Sequence, residues 1–173
     1  MLKPADCIPD YKGQALMPDG DIQNIDLADY RGKWTVLFFW PMDFTFVCPT
    51  EIKGFNQLAT EFDKHDCKLL GASVDSVYVH RAWVQNGLGK MSFPLIGDVG
   101  KALSGGFGIL DSQGVALWVT FIINPSGIIE SASANALNVG RAPSETLRLV
   151  AAFQSGELTG CDWQPGQKFV VAA

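Results

Sequence analysis

The stretch Trp34-Thr35-Val36-Leu37-Phe38-Phe39-Trp40 is nearly all apolar and drawn from residues that favour strands. It does not alternate with polar residues, so it does not read as a strand with one wet face. It is also far short of the ~20 apolar residues needed to cross a bilayer. What remains is a central strand covered on both faces, ended by Pro41.

The flanking sequence offers the elements to cover it. From Pro49 onward, Ile52, Phe55, Ala59 and Phe62 recur at spacings of three and four, which predicts a helix. Proline is favoured at a helix start, where its missing N–H would have had no partner. Residues 67–74 read as a second buried strand, and 77–86 as a helix stopped by Asn86-Gly87. Residues 119–123 read as a third strand, turning through Asn124-Pro125-Ser126-Gly127 into Ile128-Ile129 as a hairpin. Residues 144–154 give the last helix, with Leu147, Val150 and Ala151 on one face. The first thirty residues read as loop with short extended pieces, punctuated by the turn signal Pro18-Asp19-Gly20. Strands alternating with helices predict an α/β sandwich with a mixed central sheet flanked by helices.

Composition narrows the function. The chain has 173 residues, 47% hydrophobic and 18% charged, which fits one domain with a real core and excludes disorder or a coiled coil. Thirteen basic residues against eighteen acidic ones leave a net charge of -5, the wrong sign for a nucleic-acid binder. Residues 1–6 lack the basic start and apolar core of a secretory signal, so the cytoplasm is the expected location.

Four cysteines stand at 7, 48, 67 and 161, none separated from another by the two-residue gap of a redox or zinc pair. With only two histidines, His65 and His80, a metal site is not expected, nor is a disulfide scaffold at this size. Cys48 is different in its surroundings, because Pro49 places it at or inside the first turn of a helix. Unpaired N–H groups and the positive helix end favour an anion there, and a thiolate is one. Thr45 can fold back to offer a hydroxyl to the same spot. On these grounds alone Cys48 is either an activated thiol or a buried cysteine beside a strand.

The flanks add to this. Residues 38–52 closely resemble the active-site signature of the typical two-cysteine peroxiredoxins, of the alkyl hydroperoxide reductase C type. The pattern Pro-x3-Thr-x2-Cys-x2-Glu is matched by Pro41, Thr45, Cys48 and Glu51. Further resemblance lies in Leu27-Ala28-Asp29-Tyr30-Arg31-Gly32-Lys33, in Ser73-Val74-Asp75-Ser76 with His80-Arg81-Ala82-Trp83, and in Gly140-Arg141 with the helix after it.

The resemblance implies a thioredoxin-like fold and a thiol peroxidase without metal or other cofactor. Cys48 would attack a hydroperoxide and become a sulfenic acid. Thr45 would hydrogen-bond the peroxide and the thiolate, Pro41 would shield the sulfur, and Glu51 would orient the charged groups, Arg141 among them. Residues 1–155 would form the peroxidase domain. Residues 156–173 would be a tail carrying Cys161, which either resolves the sulfenic acid of a partner subunit or is an idle cysteine. The implied partners are a dithiol reductant, such as thioredoxin or a dedicated disulfide reductase, and further copies of the chain as a dimer or decamer. Cys67 reads as a core residue, Cys7 as incidental, and the two histidines as surface or packing residues.

The sequence departs from the family pattern in two places. Where the family carries an arginine before the third strand, this chain has Trp118, a neutral residue that implies slower catalysis. The end of the chain lacks the family's terminal Tyr-Phe helix, which implies quick disulfide formation and resistance to overoxidation. The alternatives are a redox-regulated chaperone or peroxide sensor with weakened activity, and a general disulfide oxidoreductase, against which the lack of a CxxC speaks.

Overall fold

The structure is a computed structural model that describes residues 1–46, 48–136 and 138–171. Val47 of the motif and the last two residues of the expected tail lie outside the described residues. The strands are β1 (Lys12–Leu16), β2 (Ile22–Asp26), β3 (Trp34–Phe39), β4 (Cys67–Ser73), β5 (Leu95–Gly97), β6 (Trp118–Ile123) and β7 (Ile129–Asn135). The helices are α1 (Cys48–Gln57), α2 (Ala59–Lys64), α3 (Val77–Trp83), α4 (Ala102–Gly106) and α5 (Pro143–Ser155).

All seven strands form one mixed sheet in the order β2-β1-β5-β4-β3-β6-β7. β3 pairs parallel with β4 and antiparallel with β6, so the apolar run is internal as its composition requires. Its side chains alternate between two cores. Val36, Phe38 and Trp40 pack with Ile52 and Phe55 of α1, whereas Leu37 and Phe39 pack with Phe107, Phe121 and Ile129 on the other face. Phe38 stacks on Phe55 at 4.2 Å between ring centroids, which seats α1 directly against the central strand. Burying one such side chain is worth roughly 1.5–3 kcal/mol.

Gly71 in β4 is needed for this packing. A Cβ there would lie 2.8 Å from the Trp40 ring and 3.2 Å from Phe38. Any side chain at 71 would push Trp40 away from the sheet, and the segment leading to Cys48 with it.

The expected helix over 77–86 is α-helical to Trp83 and passes into a π-helical turn over Val84–Leu88, within which Asn86 and Gly87 leave helical backbone angles, so the helix stops at that pair as expected. The chain turns away at Gly89, whose φ of 86° suits a residue without a side chain. Among the described residues, no helix is long and apolar enough to cross a membrane.

Candidate active site

The segment from Pro41 to Phe46 carries the chain from the end of β3 to the start of α1, and a buried polar network holds it in place. Trp40 Nε1 donates to Asp43 Oδ1 at 2.8 Å, and Asp43 Oδ2 lies 2.6 Å from His80 Nδ1. The other ring nitrogen, His80 Nε2, lies 3.0 Å from the carbonyl oxygen of Ile96. A carbonyl only accepts, so Nε2 donates there and a further proton lies between the imidazole and Asp43. His80 is fully buried, so of the two histidines it packs inside, while His65 hydrogen-bonds Gln154 at 3.0 Å. The backbone N–H of Asp43 donates to Asp75 at 2.7 Å, tying the loop to the end of β4 as well.

Cys48 begins α1 and is only 1% exposed. Pro41 is buried and Thr45 half-buried beside it in the chain. The Thr45 hydroxyl donates to the carbonyl oxygen of Met42 at 3.2 Å and also favours ionisation of the Cys48 sulfur.

One turn into α1, Glu51 faces Arg141. The guanidinium binds both carboxylate oxygens at 3.1 Å, and the backbone N–H of Arg141 donates to Glu51 Oε1 as well. Arg141 Nη1 donates to the carbonyl of Val119 at 2.8 Å and to Thr120 Oγ1 at 3.1 Å. The two side chains are 4% and 2% exposed. These bonds use four of the five N–H donors of the guanidinium. The fork geometry fixes its plane, which a lysine could not do.

Pro41, Thr45, Cys48, Glu51 and Arg141 thus gather around the start of α1, from two parts of the chain that the fold brings together. Cys161 does not join them. It is exposed, in the turns after α5, and both it and Cys48 are free thiols. The expected lowering of the Cys48 thiol is not what the site produces. Burial pushes it up from its ordinary value, because a sulfur this enclosed loses the hydration its anion needs. The nearby Thr45 hydroxyl and Trp118 indole pull it down, as does the charge of Arg141, while Glu51 adds to the rise. Cys67 is in the core at the start of β4, as expected, and burial pushes its thiol up to about 12. Cys7 is exposed.

Sequence reading missed the Asp43–His80 pair. Its partners are far apart in the chain, and neither has an apolar or metal-ligand spacing to mark it.

The chain is similar to proteins of known family. The family model described as AhpC/TSA family matches residues 4–132. A Peroxiredoxin-1 from Gallus gallus is 47% identical, over 95% of this chain and 86% of that protein. A Thioredoxin peroxidase from Trypanosoma brucei rhodesiense is 44% identical, over 95% and 87%. Among solved structures, the reduced 2-Cys peroxiredoxin of Plasmodium vivax superposes with a TM-score of 0.94 at 31% identity, covering 98% of this chain and 93% of the other. AhpC of Mycobacterium tuberculosis gives 0.86 at 40% identity, covering 95% and 99%. The mixed sheet and its helices are therefore the thioredoxin-like fold. The chain belongs to the AhpC/TSA family, as a thiol-dependent peroxidase of the typical two-cysteine peroxiredoxin type.

Proposed function

We propose that Cys48 is the sulfur that reduces the peroxide, with hydrogen peroxide and small organic hydroperoxides as substrates. The observation that carries this is one buried thiol at a helix start, beside the Thr45 hydroxyl and an arginine clamped by Glu51. The Cys48 thiolate attacks the terminal peroxide oxygen. An S–O bond forms, the O–O bond breaks, and the sulfur loses two electrons as the peroxide gains them. The leaving hydroxide or alkoxide takes up a proton to become water or an alcohol. Thr45, Arg141 and the first N–H groups of α1 are donors for the negative charge that moves along this line. Pro41 keeps water from the sulfur.

Cys161 then resolves the sulfenic acid of a partner subunit, forming a disulfide and releasing water. The division into a peroxidase domain over 1–155 and a tail over 156–173 is supported by the end of α5. Its C-cap Gly156 has a φ of 68°, where the chain leaves the helix. A dithiol protein of the thioredoxin type would reopen the disulfide. The name of the trypanosome relative supports that reductant, and the relatives together favour a peroxidase over a chaperone or sensor. Dimers or decamers in the cytoplasm complete the reading.

The test is peroxide consumption by the pre-reduced protein beside Cys48→Ser. The variant is expected to lose activity completely. Retention of more than about a tenth, a barrier change under ~1.4 kcal/mol, would show that another group is the nucleophile.

A further inference from the structure

Trp118 opens β6 and is only 3% exposed, in the same buried cluster as Cys48, Ile52 and Phe38. Its indole Nε1 is buried and makes no hydrogen bond of good geometry with any described group. A buried N–H without a partner costs roughly 1–3 kcal/mol, so a protein does not keep one idle without cause. The buried cluster to which it belongs is made of apolar side chains and the two thiols of Cys48 and Cys67. Of the two sulfurs, it is Cys48 whose ionisation the Trp118 indole favours. The two facts fit together. A neutral thiol is a weak acceptor that does not draw the indole into a good bond, whereas a thiolate is a strong one.

We propose that the indole N–H of Trp118 is a hydrogen-bond donor to the Cys48 thiolate, and so a catalytic group of this peroxidase. Two uncharged groups then act on the reacting sulfur from two elements, Thr45 from the loop and Trp118 from β6, while Arg141 adds its charge. Glu51, the one carboxylate facing the sulfur, has its charge occupied by Arg141. Trp118 is neutral, so it stabilises the anion without bringing a second charge into the cluster, which would need its own counter-ion. The tryptophan is thus a substitute for a cation here and not an empty place.

This inference rests on Cys48 as the nucleophile, and its test separates the two. Trp118 is replaced by β-(3-benzothienyl)alanine, which keeps the ring shape and exchanges the N–H for sulfur, and in parallel by Phe. The thiolate absorbance near 240 nm is titrated as a difference against Cys48→Ser in the same background, so only the Cys48 sulfur is read. The thiol is expected to ionise about one pH unit higher in the benzothienyl variant, the tenfold loss that one donor to a charged acceptor implies. At fixed neutral pH its oxidation by hydrogen peroxide is expected to slow by about tenfold, recovering as the pH is raised. A Cys48 titration that does not move in the benzothienyl variant overturns the inference, whatever happens to the rate. If instead Cys48→Ser keeps its activity, it is the nucleophile assignment that falls.

Discussion

The surroundings of Cys48 and Cys161 differ in nearly every physical respect. Cys48 is 1% exposed, held at a helix start, and its nearest charges are already paired with each other. Cys161 is exposed, in turns that rest on α5 through a few contacts. Trp163 packs on Ala151 and Ala152, its carbonyl accepts from Arg148 at 2.8 Å, and Val170 N–H donates to Leu158 at 2.8 Å. One sulfur is placed where geometry and electrostatics are set. The other is placed where a short stretch of chain can come free at small cost, since few apolar contacts hold it. The proposed sequence, a buried attack on peroxide followed by disulfide formation with a partner subunit, needs both kinds of site.

The sharpest way to break the ordered side of this comparison is Arg141→Met. Glu51 would stay buried without its partner, at a cost of about 3–5 kcal/mol in stability. The loss of a donor should reduce kcat/KM for peroxide by about 10²–10³. Denaturant unfolding and peroxide kinetics check both, and a variant within threefold of the parent would remove Arg141 from the site.

Trp118→Arg sharpens the same side. A charge with several N–H groups near the sulfur should raise the peroxide rate by at least about tenfold and move reactivity to lower pH. A well-folded variant, by circular dichroism, with no gain at any pH would show that the indole already supplies what the site can use.

On the open side, a disulfide-linked dimer is expected on non-reducing gels after mild peroxide, and Cys161→Ser should abolish it. Peptide mapping that finds dimers joined through Cys7 or Cys67 would assign resolution elsewhere.

The smallest effect concerns the buried acids. Tyr11 and Cys67 are both raised to about 12, from 10.0 and 9.0, chiefly by burial. The fold favours their neutral forms, so their contribution to stability is complete below pH 9. It is lost as the pH climbs toward 12. Thermal melts should therefore fall over that range, less steeply in Cys67→Ala.

The elements that were legible in the sequence are those whose own residues decide them. β3 is marked by its apolar run, α5 by its periodicity, and the β6–β7 turn by Asn124, whose Oδ1 accepts from Ser126 and Ile128 at 2.9 and 3.1 Å. β5 has three residues and α4 contains Ser104-Gly105-Gly106, so neither has a pattern to read. α4 exists because Asp98 accepts from the N–H groups of Leu103 and Ser104 at 3.0 and 2.7 Å, a tertiary cause invisible locally. β1 and β2 carry polar residues such as Gln14 and Asn24 at the edge of the sheet and read only as short extended pieces within loop. In the site, Pro41, Thr45, Cys48 and Glu51 share one motif and could be found together. Arg141 came from resemblance, since only the fold places it on Glu51. The direction of the Cys48 thiol could not be read, because a helix start is visible in sequence but its degree of burial is not.

The Asp43–His80 pair has a consequence for how such a chain can change. Each side chain is exposed to 1% or less, and the two hydrogen-bond each other. Replacing either one alone would strand the second, at a cost of about 3–5 kcal/mol, a large share of the 5–15 kcal/mol by which most domains are stable. Two simultaneous changes could reach an apolar pair of similar volume that folds equally well. A lineage moving by single substitutions would meet a valley before that point. The loop in front of Cys48 is therefore held by history as well as by hydrogen bonds: the route away from this anchor is closed at its first step.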